Sequence, residues 1–206
     1  MTSFFTTGGI RGGKKKLDKF YPRSFNMGIR ADLYRRLGGF SAMRFGEDID
    51  FSIRIFKSGA SCRLFPEAWV WHKRRTDMKK FFKQVHNSGI ARINLLKRHP
   101  GSMKPVHLLP ALFTAGMACL ALLFVAGLVL VGANLYGIHG MSGTGADDHM
   151  LHVGVLLGCI AIACSLVPPA LYSILIFFDS LFKNKSCKVA LLSIKASFIQ
   201  LLGYGT

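Results

Sequence analysis

Two long stretches without charge constrain this chain more than any other feature of its sequence. No Asp, Glu, Lys or Arg lies between Lys104 and Asp147, or between Asp148 and Asp179. A helix needs about 20 apolar residues to cross about 30 Å of hydrocarbon, and both stretches exceed that length. The alternative is a pair of core helices in a soluble protein, which so small a chain cannot surround with protein on all sides. We therefore expect two membrane helices.

The flanking charges predict how these helices are oriented. Lysines and arginines precede the first helix and follow the second, whereas the loop between them carries only acids. By the positive-inside rule, both ends of the helix pair are cytoplasmic and the loop is external. A third apolar stretch at 189–203 contains Lys195 and is too short for a confident span. We expect it to lie in the membrane interface, with an incomplete crossing as the alternative.

The charge is concentrated in the first half of the chain. Residues 1–106 hold 23 basic and 7 acidic side chains, whereas the whole chain has a net charge of +17. This asymmetry excludes a uniform globular domain, a disordered chain and a disulfide-stapled peptide. A basic half also suits a phosphate-bearing partner, but no nucleic-acid recognition module is present, so we expect no nucleic-acid partner.

Turn residues and apolar spacing divide the chain further. Alternating residues predict strands at 20–29, 61–65 and 68–72, and a 3.6-residue period predicts helices that begin near residues 31, 47 and 76. Gly38-Gly39 is expected to end the first of these helices, and Thr76 to cap the third. Asp50 and Arg54, four residues apart, are expected to pair on the surface of the second.

Seven divisions are predicted. The basic half consists of a flexible arm (1–19), a segment that the resemblance described below places in a catalytic domain (20–75), and an amphipathic interfacial helix with a linker (76–105). The apolar half consists of a first membrane helix (106–136), an external loop (137–150), a second membrane helix (151–178), and a basic loop with an interfacial or partial third helix (179–206).

One acidic cluster lies within the basic half, in the sequence Gly46-Glu47-Asp48-Ile49-Asp50. It opens a predicted amphipathic helix, where the positive end of the helix dipole favours negative charge. An ionised carboxylate in that position suits a general base or a metal ligand. From the residues alone, a helix cap with surface ion pairs is the favoured explanation of the cluster.

A series of motifs around this cluster resembles a known family. Ser24-Phe25-Asn26-Met27-Gly28-Ile29-Arg30, Leu37-Gly38-Gly39-Phe40, the acidic segment from Gly46 to Arg54, Gly59, Pro66-Glu67-Ala68 and His72 occur in that order. The series is similar to the C-terminal half of the catalytic domain of family 2 glycosyltransferases. The resemblance covers roughly residues 20–100.

The resemblance implies a fold and an activity. The fold would be α/β, a partial GT-A (nucleotide-diphospho-sugar transferase-like) domain followed by two or three membrane-associated helices. The activity would be inverting transfer of a sugar from a nucleotide-sugar donor to the hydroxyl of a lipid-linked or saccharide acceptor. Surface polysaccharide or glycolipid synthesis at the cytoplasmic face of a bacterial inner membrane would be the setting.

The resemblance also implies roles for individual residues. It makes Asp48 the base that accepts the acceptor's proton, with Glu47 beside it. Residues assigned to acceptor or donor binding are Gly38, Gly39, Phe40, His72, Gln84 and Arg92. Gln84 and Arg92 lie where processive relatives carry Gln-x-x-Arg-Trp, and that motif is not present here, so processive synthesis is not expected.

The family also uses a divalent metal, Mg²⁺ or Mn²⁺, bound by an Asp-x-Asp motif that follows a strand. Asp48-Ile49-Asp50 has those letters but opens a helix, so we assign no metal ligand in this chain. We expect a truncated enzyme that lacks the nucleotide-binding half. The alternative is a non-catalytic basic membrane protein that binds anionic lipid or a protein partner.

Overall fold

The computed structural model of the chain describes residues 22, 24–63, 65, 67, 70, 77–140 and 145–206. They form two compact units. We call the described residues up to Leu109, together with Gly203–Thr206, the basic unit, and Pro110–Leu202 the apolar unit.

Every regular element in the described residues is helical. The helices are α1 (Ala31–Arg36), α2 (Glu47–Lys57), α3 (Met78–Arg98), α4 (Leu109–Gly140), α5 (Gly145–Asn184) and α6 (Cys187–Gly205), with short 3-10 turns at Ser24–Asn26 and Pro105–His107.

The prediction of an α/β, partial GT-A domain is therefore wrong. Part of the first expected strand, 20–29, is the 3-10 turn Ser24–Asn26, and residues 61–63 of the second are irregular. A strand is stable only where a neighbouring strand pairs its N–H and C=O groups, and no such neighbour lies within the described ranges. Most of the third expected strand, 68–72, falls outside those ranges. Alternation of apolar and polar residues does not by itself specify a sheet.

The first two helices share a small apolar core. Leu33 of α1 packs with Phe51 and Ile55 of α2, and Phe51 is completely buried. Burying a phenylalanine side chain contributes about 2–3 kcal/mol. The predicted glycine stop after α1 is confirmed, because Gly39 has a positive φ of 65° and its N–H donates to the Tyr34 carbonyl. This core fixes the position of α2 within the basic unit.

The long amphipathic helix α3 is confirmed, although its cap differs from the expected one. Asp77 caps it by accepting a hydrogen bond from the Lys79 N–H at 2.8 Å, whereas the sequence had suggested Thr76. Both residue types suit that position. Val85, Ala91 and Leu95 are its buried side chains.

In the apolar unit, α4 and α5 approach closely at glycines. A side chain at Gly127 would lie 2.9 Å from the Gly158 carbonyl oxygen, and one at Gly158 would lie 2.9 Å from the Gly127 carbonyl oxygen. Small residues at such crossings allow helix backbones to pack tightly in lipid. A buried contact of 2.8 Å between the Ser180 and Ser193 hydroxyls joins α5 to α6.

Within the described ranges, three helices are long and apolar enough to cross a membrane, at Leu109–Gly137, His149–Asn184 and Cys187–Gly205. The first two correspond to the expected membrane helices. The third is the segment for which the sequence favoured an interfacial position, and at 19 residues it meets the length and composition of a span. Membrane association is thus the arrangement that these helices fit.

Candidate functional site

The site is organised by the start of α2. Gly46 precedes the helix with a positive φ of 85°, and its carbonyl accepts hydrogen bonds from the N–H groups of Ile49 and Asp50. A side chain at Gly46 would lie 3.1 Å from Cβ of Ala91. Only glycine combines this conformation with so close an approach to α3. Gly46 therefore sets the first turn of α2 directly against α3.

The predicted base, Asp48, lies in that first turn. Its side chain is mostly buried, and Oδ1 accepts a hydrogen bond from the Ile49 N–H at 2.9 Å. The positive end of the helix dipole favours a negative charge here. Asp48 thus combines an oriented carboxylate with a position at the edge of a cavity.

This cavity has a volume of about 260 Å³ and lies between the start of α2 and one face of α3. The α3 positions that line it are spaced three and four residues apart, as expected for one helix face. Its lining residues are Arg44, Phe45, Gly46, Glu47, Asp48, Ile49, Gln84, Asn87, Ser88, Ala91, Arg92 and Tyr204.

Four residues that the sequence assigned to the site meet in this cavity: Glu47, Asp48, Gln84 and Arg92. Carboxylates, amides, hydroxyls and guanidinium groups line it together. Such groups match the hydroxyl groups of a sugar, which donate and accept hydrogen bonds. The cavity is therefore chemically suited to a polar, hydroxyl-rich ligand.

Sequence analysis missed four polar residues of the cavity. Asn87 and Ser88 lie three and four residues after Gln84, so helical spacing could have identified them. Arg44 precedes the acidic segment closely. Tyr204 accepts a hydrogen bond from Nε of Arg92 at 3.2 Å across 112 residues of sequence, a relationship that no local pattern signals.

Gly38, Gly39 and Phe40 are not among the residues that line the cavity. The Gly39 carbonyl accepts a hydrogen bond from Arg54 at 2.7 Å, and the Phe40 ring lies 4.8 Å from that of Phe51. These contacts stabilise α2 through Arg54 and Phe51, which do not line the cavity. A role for the three residues in acceptor binding stays a prediction, and His72 lies outside the described residues.

Asp50 makes different contacts from Asp48. Its carboxylate is completely buried and contacts Arg54 at 3.0 Å, Arg98 at 3.3 Å and His99 at 2.7 Å. Burial acts to raise the pKa of Asp50, but the hydrogen bond from His99 and the charge of Arg54 outweigh it and leave the pKa below its usual value. The Asp50–Arg54 pair expected on the surface is thus a buried link.

The residues present do not form a divalent-metal site on their own. In the parts of the chain that the structure describes, no three side chains of the His, Cys, Asp and Glu types come together as a group. The cavity offers the carboxylates of Glu47 and Asp48, and neither belongs to such a group. We therefore derive no step through a metal.

Comparison with known proteins points to one type of activity. Over 78 residues the chain is 33% identical to a pre-mycofactocin glycosyltransferase of Mycobacterium tuberculosis, in the strains CDC 1551 / Oshkosh and ATCC 25618 / H37Rv. The match covers 37% of this chain and 17% of the relative's length. No protein family profile and no solved structure matches the chain. The chain is thus weakly similar, over part of its length, to a glycosyltransferase, and its apolar helices fit a membrane-associated form of such an enzyme.

Proposed function

We propose that the chain acts as a membrane-bound inverting glycosyltransferase of the family 2 type, with its acceptor site in this cavity. One observation carries the proposal: the cavity brings Asp48 and Glu47 of α2 together with Gln84 and Arg92 of α3. The resemblance of the sequence to family 2 glycosyltransferases assigns the same four residues to the site. The partial similarity to a glycosyltransferase supports the same activity.

In the proposed reaction, the acceptor hydroxyl oxygen attacks the anomeric carbon of the donor sugar. The bond from that carbon to the nucleotide's phosphate oxygen breaks, and its electron pair leaves with the nucleotide. Asp48 accepts the proton of the attacking hydroxyl, which makes the oxygen a better nucleophile as the new bond forms. Attack from the face opposite the leaving group inverts the configuration of the sugar.

The remaining cavity residues would hold the acceptor in place. Gln84 both donates and accepts hydrogen bonds, as sugar hydroxyls require, and Arg92 donates only. Orienting a hydroxyl close to a base lowers the entropic cost of the reaction. The acceptor is proposed to be saccharide or lipid-linked, and the cytoplasmic face of a bacterial inner membrane is the proposed location.

The test uses the full chain in nanodiscs that contain phosphatidylglycerol. Radiolabelled UDP-, GDP- and dTDP-hexoses serve as donors, and a polyprenyl phosphate and short saccharides serve as acceptors. We expect Asp48→Asn to lower transfer by a factor of about 100 or more, the contribution of a general base, while helix content is unchanged. Asp32→Asn, at an exposed acid of α1 that pairs with Arg30, is the matched control and should transfer normally.

Two results would contradict the proposal. Transfer by Asp48→Asn at the rate of the unmodified chain would remove Asp48 from the mechanism. Failure of the unmodified chain to transfer from any donor to any acceptor would remove the activity from the chain.

A second candidate function is supported by the exposed side of α3. Phe82, Ile90 and Ile93 are each about 40–49% exposed there, beside lysines such as Lys83 and Lys97. Apolar residues interspersed with lysines are typical of a helix that binds an anionic lipid surface. This function predicts binding to phosphatidylglycerol vesicles that weakens steeply with salt, and it predicts no sugar transfer.

A further inference from the structure

Two glycines bring the end of α6 onto α3 inside the basic unit. A Cβ atom at Gly89 would lie 2.5 Å from the Tyr204 carbonyl oxygen. A Cβ atom at Gly203 would lie 2.7 Å from Cγ2 of Val85 and 2.9 Å from Cδ2 of Phe82. Real Cβ atoms do not approach other atoms that closely. The segments therefore meet at this distance because both positions lack a side chain.

This contact places the Tyr204 hydroxyl on Arg92. Nε of Arg92 donates to Oη of Tyr204 at 3.2 Å, and both residues line the cavity that holds Asp48. A guanidinium group is planar and carries five N–H donors in a fixed arrangement. One hydrogen bond at Nε therefore restricts the plane of the group and the directions of its four other N–H bonds.

A long arginine side chain without such a restraint has several rotatable bonds. Ordering it on ligand binding costs free energy. A partner that already holds it in the free protein lowers that cost. Tyr204 is placed to do so, because the close packing at Gly89 and Gly203 fixes the position of its backbone.

We propose that Tyr204 is a positioning residue of the acceptor cavity, which holds the Arg92 guanidinium in the orientation that binds acceptor oxygens. This inference rests on the proposed function of the cavity. It adds the last turn of α6 to a site that α2 and α3 otherwise form.

The first test is kinetic and uses the full chain in nanodiscs. Tyr204→Phe removes the hydroxyl and keeps the ring, so we expect the acceptor KM to rise about five- to tenfold, with kcat and the donor KM little changed. In a double-mutant cycle, Tyr204→Phe added to Arg92→Ala should cause no further loss, because its effect passes through Arg92. Equal changes in kcat and both KM values, or additive losses in the cycle, would overturn the inference.

The second test perturbs the contact from the α3 side. Gly89→Ala should displace the end of α6, speed hydrogen exchange at 203–205 and raise the acceptor KM as Tyr204→Phe does. Gly116→Ala is the matched control, since Gly116 is also helical and a Cβ there would meet no atom within 4 Å. Unchanged exchange and kinetics in Gly89→Ala would contradict the inference.

A third measurement separates the inference from the function on which it rests. Nitrogen-15 NMR of the arginine side chains should show slower exchange of the Arg92 Nε proton in the unmodified chain than in Tyr204→Phe, with Arg92→Lys used for assignment. Transfer by the unmodified chain that Tyr204→Phe leaves unaltered would overturn the inference alone. Absence of transfer in the unmodified chain would overturn both, whatever the NMR shows.

Discussion

The carboxylate of Asp50 and the imidazole of His99 meet at 2.7 Å, across 49 residues of sequence. Nδ1 of His99 lies 3.3 Å from the Lys57 ammonium group, which can only donate, so we assign the ring proton to Nε2 and the hydrogen bond runs from His99 to Asp50. This bond joins α2 to the residue that ends α3. The two helices that form the cavity are thereby held at a fixed separation.

Removing the buried charge should loosen this connection. We expect Asp50→Asn to destabilise α2 by about 3 kcal/mol, because Arg54 and His99 keep their buried positions without the carboxylate. Hydrogen exchange of the Phe51 and Ser52 amides measures the change directly. Asp32→Asn removes an exposed acid and should leave that exchange rate unaltered.

Lowering the pH should also destabilise α2. The pKa of Asp50 is lower in the folded protein than its value of 3.8 in an unfolded chain. The unfolded state therefore takes up a proton first, and the stability that Asp50 contributes is complete above about pH 3.8 and is lost as the pH falls through the folded-state pKa. Hydrogen exchange of α2 between pH 5 and pH 2 should show this loss, and Asp50→Asn should lack it. If hydrogen exchange of α2 depends on pH in the same way in Asp50→Asn, Asp50 is not the group responsible for the loss of stability.

Gly46 and Gly59 provide a matched pair of glycines. Both have a positive φ, 85° and 80°, so alanine at either position should cost about 1 kcal/mol in backbone strain. Only at Gly46 does the new Cβ meet other atoms, with Cβ of Ala91 at 3.1 Å, whereas nothing lies within 4 Å at Gly59. We expect Gly46→Ala to destabilise the basic unit more than Gly59→Ala and to lower transfer as well. Equal losses of thermal stability in the two variants would show that the contact between position 46 and α3 does not contribute to stability.

Arg54 should not tolerate replacement by lysine. Its guanidinium binds Asp50, the Leu37 carbonyl and the Gly39 carbonyl at 2.7–3.0 Å. An ammonium group on a flexible stem cannot reproduce this planar set of bonds, so Arg54→Lys should destabilise α2 by about 1–3 kcal/mol. Arg35→Lys, at an exposed arginine of α1, is the control for loss of an arginine as such. The measurement is again the free energy of opening from hydrogen exchange.

The helices of the basic unit could be predicted because their signals are local. Glycines with a positive φ follow α1 and α2, and α3 is amphipathic. The prediction of strands was wrong for a physical reason. A strand depends on pairing partners, which no single segment of sequence specifies. Residues 24–26 carry alternating residue types and nevertheless form a 3-10 turn.

The site could be predicted only in part, for a related reason. Glu47 and Asp48 stand out as acids at a helix start in a basic half, and the resemblance supplied Gln84 and Arg92. The same acidic cluster contains Asp50, whose buried carboxylate is contacted by Arg98 and His99 far along the chain. Tyr204 is equally remote from Arg92. Contacts of this kind arise from tertiary packing, which the local sequence does not encode.

The absence of a side chain at Gly89 of α3 also determines how related sequences are expected to vary. Any descendant that acquires a methyl group at that position must either shift the final turn of α6 or accept a collision with the Tyr204 carbonyl. Substitutions at positions 89, 203 and 204 should then co-vary among related sequences, whereas Gly116 and Gly132 should vary independently.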